Sequence, residues 1–547
     1  MINTAAIRTR VCEVVRDSIL DNPVIARELR TRMREWKAFA IFGGYVLLAA
    51  VVLLFHYGAE ISRSSGHIVI SRSVGLEVFR SLAWVQAVLL TFVLPSLTFS
   101  SLTQELERRT IEMLALTRLT AGKIVLGKQL AGLLFALILV ICTLPLASLC
   151  VMLGGISPWE VGLCYILLAA WCYLLTSMGV FWSSLCTRTV ASSLLAYGTA
   201  ATYFFMTMSM GATATFAAGP SPSKVYVLAG LNPGFAPDMC TMNTQVYGID
   251  IPVWLVAVGL HIWAGALMLL VSSTHVKYKF AERALPIRLM LIGLTATMTW
   301  LVIGDSTVTT SMAQNPEYVR GLIVIAVGVL LGLICLGTTA VATGVPQLQP
   351  SQSIWSYALS ARKAFRTDIA GAIVFATIWS AVACGTLGIS LIWALKSSFG
   401  SVTAATASPS IIGFIVSTLS RLCIDVCVIS AAVAAVGVLS SCCAKLRKNA
   451  AGIVLLFTIL AFSGYMIPLA YYVNGVTKTN GPLWQLAAFW PVTPILGLTV
   501  GWQDMPELWW QPEDSWMVTA AAYLVIAAVA LWLSPKALAR YGGVIEE

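Results

Sequence analysis

The stretch LTQELERRTIEMLALTRLTAGKIVLGK, residues 102–128, decides how this chain is read. It sets Glu105, Glu107 and Glu112 beside Arg108, Arg109, Arg118, Lys123 and Lys128, between two long apolar runs. A short polar turn would be enough to join two membrane spans. This join is long enough for a docked helix, which suggests a surface made to touch something on the cytoplasmic side. Ile111, Leu114 and Arg118 follow a helical repeat, as do Arg108, Glu112 and Ala115, and the pattern predicts a short amphipathic helix parallel to the membrane. Its carboxylates are costly in lipid and must face water or a basic partner. Thr120-Ala121-Gly122 reads as a helix-ending turn leading into the next span.

Around this island the chain is 58% hydrophobic and 11% charged, with a mean hydropathy of +0.85. A soluble domain has no way to cover that much apolar surface, so the bilayer is the solvent that suits it. Apolar stretches long enough to cross a core of about 30 Å recur from end to end. They fall at 38–57, 79–101, 124–153, 160–186, 190–211, 252–273, 287–304, 320–343, 368–395, 411–443, 449–473 and 515–534. The expected fold is therefore an all-α polytopic membrane protein of about 12 transmembrane helices.

The net charge of +10 does not indicate nucleic acid, because the cations gather in alternate loops. The residues before the first span, the island itself, and the groups Lys277/Lys279/Arg283/Arg288, Arg362/Lys363/Arg366, Lys445/Arg447/Lys448 and Lys536/Arg540 carry most of them. By the positive-inside rule both termini face the cytoplasm and the number of spans is even. The basic balance reports topology and anionic lipid. The first 37 residues are too long and too charged for a cleaved signal peptide, so the first span is expected to be retained.

The chain reads as two copies of one six-span unit. An offset of 258 aligns Gly179-Val180 with Gly437-Val438, Leu228-Ala229 with Leu486-Ala487, and Pro233 with Pro491. The expected division is a cytoplasmic N-terminus over 1–37, a first unit over 38–280 and a more divergent second unit over 281–547. Such duplication is common in transporters, whose halves flank a pathway.

Ahead of the first span, NPVIARELRTRMREWK at 22–37 places Val24, Ile25, Leu29, Met33 and Trp36 at helical spacing among charges. This predicts an amphipathic helix lying in the interface, its cations towards lipid head groups. Asn22 is its N-cap and Pro23 suits its first turn.

These two segments and the order of the spans resemble the permease subunits of ABC-2 type ABC transporters. The resemblance rests on NPVIARELR, on the charged segment between spans two and three, and on an E-x-E-x-x-T-x-E-x-L-like pattern. That pattern falls here on Glu105, Glu107, Thr110, Glu112 and Leu114. It implies that these residues, with Arg108, form a coupling helix that sits in a groove of an ATP-binding subunit. It implies equally that Asn22, Pro23, Arg27, Glu28 and Arg30 belong to an interfacial connecting helix. The implied function is a permease subunit that moves a substrate, by export, using ATP and Mg²⁺ held on a separate chain. The implied setting is the bacterial inner membrane, with a homodimer or a second permease as open alternatives for the transport unit. The second half departs from the pattern: in SIWSYALSARKAF, Trp355 stands opposite Glu112 and the paired glutamates are missing. That departure keeps open an alternative, a structural or regulatory membrane protein that kept the permease fold without transport.

The chain has no G-x-x-x-x-G-K-[ST] cradle, so nucleotide chemistry requires a partner chain. His56, His67, His261 and His275 are scattered, with no H-E-x-x-H, and neither a metal site nor an enzyme is expected. The thirteen cysteines read as small packing residues within or beside spans, Cys240 standing alone in its external loop. One intramembrane candidate remains, Arg421 with Asp425, whose i, i+4 spacing lets them pair on one helix face; with the span at about 422–443 they would instead form a staple at the external interface.

Overall fold

The computed structural model describes residues 22–34, 36–63, 74–108, 120–186, 188–218, 230–276, 280–304 and 515–541, with Trp379, Ile424 and helical residues between 428 and 439. Among the described residues five helices are long and apolar enough to cross a membrane: Ala38–Ala59, Val74–Glu107, Ala121–Leu153, Pro158–Leu185 and Val253–Ser273. They fall on the expected spans at 38–57, 79–101, 124–153, 160–186 and 252–273. The stretches at 190–211, 287–304 and 515–534 lie in the helices Thr189–Ala218, Phe280–Gly304 and Ser515–Tyr541. Those at 320–343, 368–395, 411–443 and 449–473 lie outside the described residues, apart from the scattered residues named above, as do Arg421, Asp425 and 351–366.

The chain divides into two compact units, Met1–Gln245 with Ile249–Tyr278, and Val246–Gly248 with Lys279–Glu547. In the first, the elements run α1 (Pro23–Arg34), α2 (Trp36–Arg63), α3 (Val74–Thr98), α4 (Thr103–Glu107), α5 (Ala121–Cys142), α6 (Leu144–Leu153), α7 (Pro158–Leu185), α8 (Thr189–Ala218), α9 (Ala236–Met239) and α10 (Val253–Val276). In the second, Ile429, Ala432, Val433 and Ala435 pack with Tyr523, Ala527 and Ala530, a seam of mostly small residues of the kind that lets helices approach closely.

The centre of the first unit is α7. Of its apolar window 72% is buried inside the molecule, against 22% for Ala38–Ala59, so α7 is a core helix and α2 a lipid-facing one. Leu47, Leu48, Val51, Leu54 and Phe55 of α2 are accordingly exposed. The start of α7 is set by a capping box: the Ser157 hydroxyl accepts from the Glu160 N–H, and the Glu160 carboxylate accepts from the Ser157 N–H. Along its length, Leu168, Trp171, Cys172, Leu175 and Met178 join Leu90, Leu94, Phe135 and Leu139 in the main apolar cluster. Without a hydrophobic drive between helices in lipid, close packing decides where they cross. Here Thr98 of α3 fits against Gly132 of α5 and Gly179 of α7. A Cβ on Gly179 would come within 1.8 Å of Thr98 Oγ1, and one on Gly132 within 2.7 Å of Thr98 Cγ2.

Two local readings change. Thr120 starts a helix, because its hydroxyl accepts from the Lys123 N–H and caps α5. The long apolar stretch 124–153 is also broken. Helix α5 stops at Cys142, Thr143 is a turn, and α6 restarts with Pro145 in its first turn, a residue with no N–H to continue the ladder. The Thr143 hydroxyl takes a hydrogen bond from Gln86 Nε2 (2.5 Å) and lies 3.1 Å from the Tyr165 hydroxyl, so the break is wrapped in side-chain partners.

A cap covers one end of this unit. The turn Pro233–Phe235 leads into α9 and then into the strands β1 (Asn243–Val246) and β2 (Ile249–Pro252), which pair as a two-stranded hairpin. Asn232 pins the turn by accepting from the Gly234 N–H (2.9 Å) and donating to Thr207 Oγ1 (3.2 Å). Gly234 lies so close to the Trp84 ring that a Cβ would meet it at 2.6 Å.

The helix crossing makes a prediction with two signs. Gly179→Ala should lower the stability of the detergent-solubilised protein by about 1–3 kcal/mol through overpacking. Gly259→Ala, with nothing within 4 Å of the added methyl, should be neutral or stabilise by up to about 1 kcal/mol through helix propensity. Thermal unfolding of the two variants checks both.

Candidate functional site

Two of the residues singled out by the sequence, Glu28 and Glu105, converge on one buried ammonium at the end of the bundle opposite the cap. Lys128 lies in the second turn of α5, where apolar neighbours exclude water. It is 2% exposed. A lysine so placed must find partners for all three N–H bonds, and it does. Its Nζ donates to Glu28 Oε1 of α1 (3.1 Å), to Glu105 Oε1 of α4 (2.9 Å) and to the Ser101 carbonyl (2.7 Å). One cation thus joins the interfacial helix, the start of the charged island and the third long apolar helix.

Each partner is positioned by its own local chemistry. Asn22 Oδ1 accepts from the Val24 N–H (3.1 Å), capping α1, while Asn22 Nδ2 donates to the Lys123 carbonyl (2.8 Å). The cap therefore also fastens α1 to the first turn of α5. Gly127 makes the approach possible, since a Cβ there would come within 2.8 Å of Val24 Cβ. On α4, too short to bring a cap of its own, the Ser183 hydroxyl of α7 serves instead, accepting from the N–H groups of Leu102 (2.8 Å) and Thr103 (3.1 Å). These bonds hold α4 in register and aim Glu105 inward.

The expected set of residues divides accordingly. Asn22, Glu28 and Glu105 turn into the molecule, while Pro23, Arg27, Arg30, Glu107 and Arg108 are exposed. Glu107 accepts from the Thr189 N–H (2.8 Å) and so caps the start of α8 from outside. Half-buried Arg32, one turn beyond Glu28, has its guanidinium pushed below the ordinary value by burial, with Glu28 acting against that shift. Thr110, Glu112 and Leu114 lie outside the described residues. Lys128 stood out in the sequence only as one cation of the island; its depth inside an apolar helix was the available clue to an internal role. Ser183 gave no such clue. Among the described residues no group of three or more His, Cys, Asp or Glu side chains is placed to hold a metal ion.

A bundle of long apolar helices, with the amphipathic helix α1 tied to the charged segment by Lys128, defines a polytopic helical membrane protein. Residues 23–245 match the family described as ABC-2 family transporter protein, so this segment is similar to the permeases that the sequence resembles. It contains α1, the Lys128 cluster and the described part of the charged island. No curated protein and no solved structure matches the chain.

Removing the ammonium leaves two carboxylates facing a dry site, which costs about 3–5 kcal/mol. Lys128→Met should therefore lower thermal stability markedly. Adding Glu28→Gln and Glu105→Gln to it should restore most of the loss, and thermal unfolding of the single and triple variants reads this directly.

Proposed function

We propose that the chain is the membrane-spanning permease subunit of an ABC-2 type transporter, exporting its substrate at the expense of ATP. The nucleotide and its Mg²⁺ would be held by a separate ATP-binding subunit on the cytoplasmic side of a bacterial inner membrane. In this reading the two six-span units, 38–280 and 281–547, descend from one repeat. The observation that carries the proposal is the Lys128 cluster within an ABC-2 family domain.

The cluster suits the transmission of force. A docked ATPase that moves the charged segment pulls on α4 and Glu105. Glu105 cannot leave Lys128 without stranding buried charge, and Lys128 holds Glu28 in turn. Helices α1, α4 and α5 then shift together as one body, the way small displacements at an effector site become rigid-body motions. Exposed Glu107 and Arg108 would form, with Glu112, the surface offered to the partner, while Glu105 would be the internal tie behind it.

This separation of roles can be measured. A tagged chain purified from its native membranes should bring an ATP-binding subunit with it, and the complex should hydrolyse ATP. Glu107→Lys with Glu112→Lys should abolish both association and turnover. Glu105→Gln should keep the association and lower turnover by about tenfold, equivalent to 1.4 kcal/mol of lost coupling. Undiminished binding by the double lysine variant would remove the docking assignment.

A further inference from the structure

Far from the Lys128 cluster, two cysteines that are 76 residues apart in sequence meet under the cap. Cys164 lies in the second turn of α7, and Cys240 directly follows α9. Their sulfurs are 3.7 Å apart, with the Cys164 thiol donating to Cys240 Sγ. Both are free thiols and both are buried, at 1% and 2% exposure. Within α7, the nineteen-residue interval from Cys164 to Ser183 corresponds to about 29 Å of helix. The pair therefore sits at the opposite end of the bundle from the charged island. The geometry points to a redox site: Cys164 and Cys240 form a reversible disulfide that fastens the cap to the central helix.

Several features favour this bond over an idle contact of two packing residues. The sulfurs are already in van der Waals contact at 3.7 Å and close to about 2.05 Å in a disulfide. Both anchor points are well defined. The Cys240 N–H is bonded to the Ala236 carbonyl (2.9 Å), and α7 is held by its capping box four residues before Cys164. Arg80 Nε donates to Asp238 Oδ1 (2.6 Å), Asn232 is bonded to Thr207, and the Val253 N–H donates to the Met242 carbonyl (3.2 Å). The cap is thus presented to α7 in one fixed orientation. The hydrogen bond from Cys164 also holds the Cys240 thiol below its ordinary value.

The reaction balances with an oxidant of the disulfide class. When the short cap opens, the Cys240 thiolate attacks one sulfur of the oxidant and expels its other half as a thiolate, giving a mixed disulfide. Deprotonated Cys164 then attacks Cys240 Sγ, the mixed bond breaks, and the second half leaves as a thiol. Two electrons pass to the oxidant, which ends as two thiols carrying the two protons that the cysteines lose. In the predicted topology the site faces the outside, where such bonds persist; that placement rests on the transporter reading, and the redox chemistry does not.

The test uses the purified full-length chain equilibrated in oxidised and reduced glutathione, quenched with N-ethylmaleimide, denatured, digested and examined by mass spectrometry. The ratio of cross-linked Cys164–Cys240 peptide to its alkylated forms should rise roughly tenfold for each 30 mV of more oxidising poise across the transition. It should vanish in Cys164→Ser and in Cys240→Ser, while dithiothreitol should return both cysteines to the alkylated form. A glutathione adduct on Cys240 that never resolves to the cross-link would overturn the proposal. So would full alkylation at both positions in a buffer that oxidises a reference dithiol. Because no ATPase, nucleotide or membrane potential takes part, a negative result here leaves the transport reading intact, and loss of that reading leaves this one intact.

Discussion

A buried ammonium is the constraint on which the described half of this protein turns. Lys128 is 2% exposed in a helix that is otherwise apolar around it. Left alone there it would be neutral or the helix would not insert, since an unpaired charge in a low-dielectric site is among the most expensive features a fold can contain. The chain meets the demand with two carboxylates and a carbonyl, drawn from three places in sequence. Every one of those acceptors had to be delivered to within 3.1 Å, and the surrounding details follow from that need. Asn22 ends one helix and grips another, Gly127 lets them touch, and Ser183 lends a cap to a helix too short to cap itself.

The pairing adds little net stability over a well-packed apolar alternative of similar volume. What it supplies is a unique arrangement. An apolar contact between α1 and α5 could slide by a turn with modest loss, whereas a lysine shared by two carboxylates admits one register. That specificity suits a part of the molecule where an amphipathic helix in the interface must hold a defined relation to spans that cross the membrane. Buried Thr98, against Gly132 and Gly179, fixes the crossing of α3, α5 and α7 by shape, much as Lys128 fixes α1, α4 and α5 by charge.

The long apolar runs were legible in the sequence because a span must be apolar over its whole length, a property that needs no tertiary partner. The amphipathic helix Pro23–Arg34 was legible for a related reason: its two faces are written into a period of 3.6 residues. What could not be read were contacts between distant positions. Nothing near Lys128 in sequence announces Glu28, one hundred residues upstream, and nothing near Cys240 announces Cys164. Glu105 and Glu107 looked alike on the page, two residues apart in one polar segment. The fold turns one inward to a lysine and leaves the other in water at the start of α8. The break at Thr143 was hidden because Thr-Leu-Pro-Leu is itself apolar enough to pass as uninterrupted span.

That break resolves a problem of length. Helix α5 alone, Ala121–Cys142, rises about 33 Å, which already matches a hydrocarbon core of about 30 Å. Continued straight to Leu153 the same stretch would reach about 50 Å and drive some ten apolar residues past the bilayer into water. Pro145 ends the ladder at Thr143, so α6 need not continue the axis of α5, and its Leu149 and Met152 are exposed. At the bend the Thr143 hydroxyl accepts from Gln86 and lies beside the Tyr165 hydroxyl, so its side chain is not stranded.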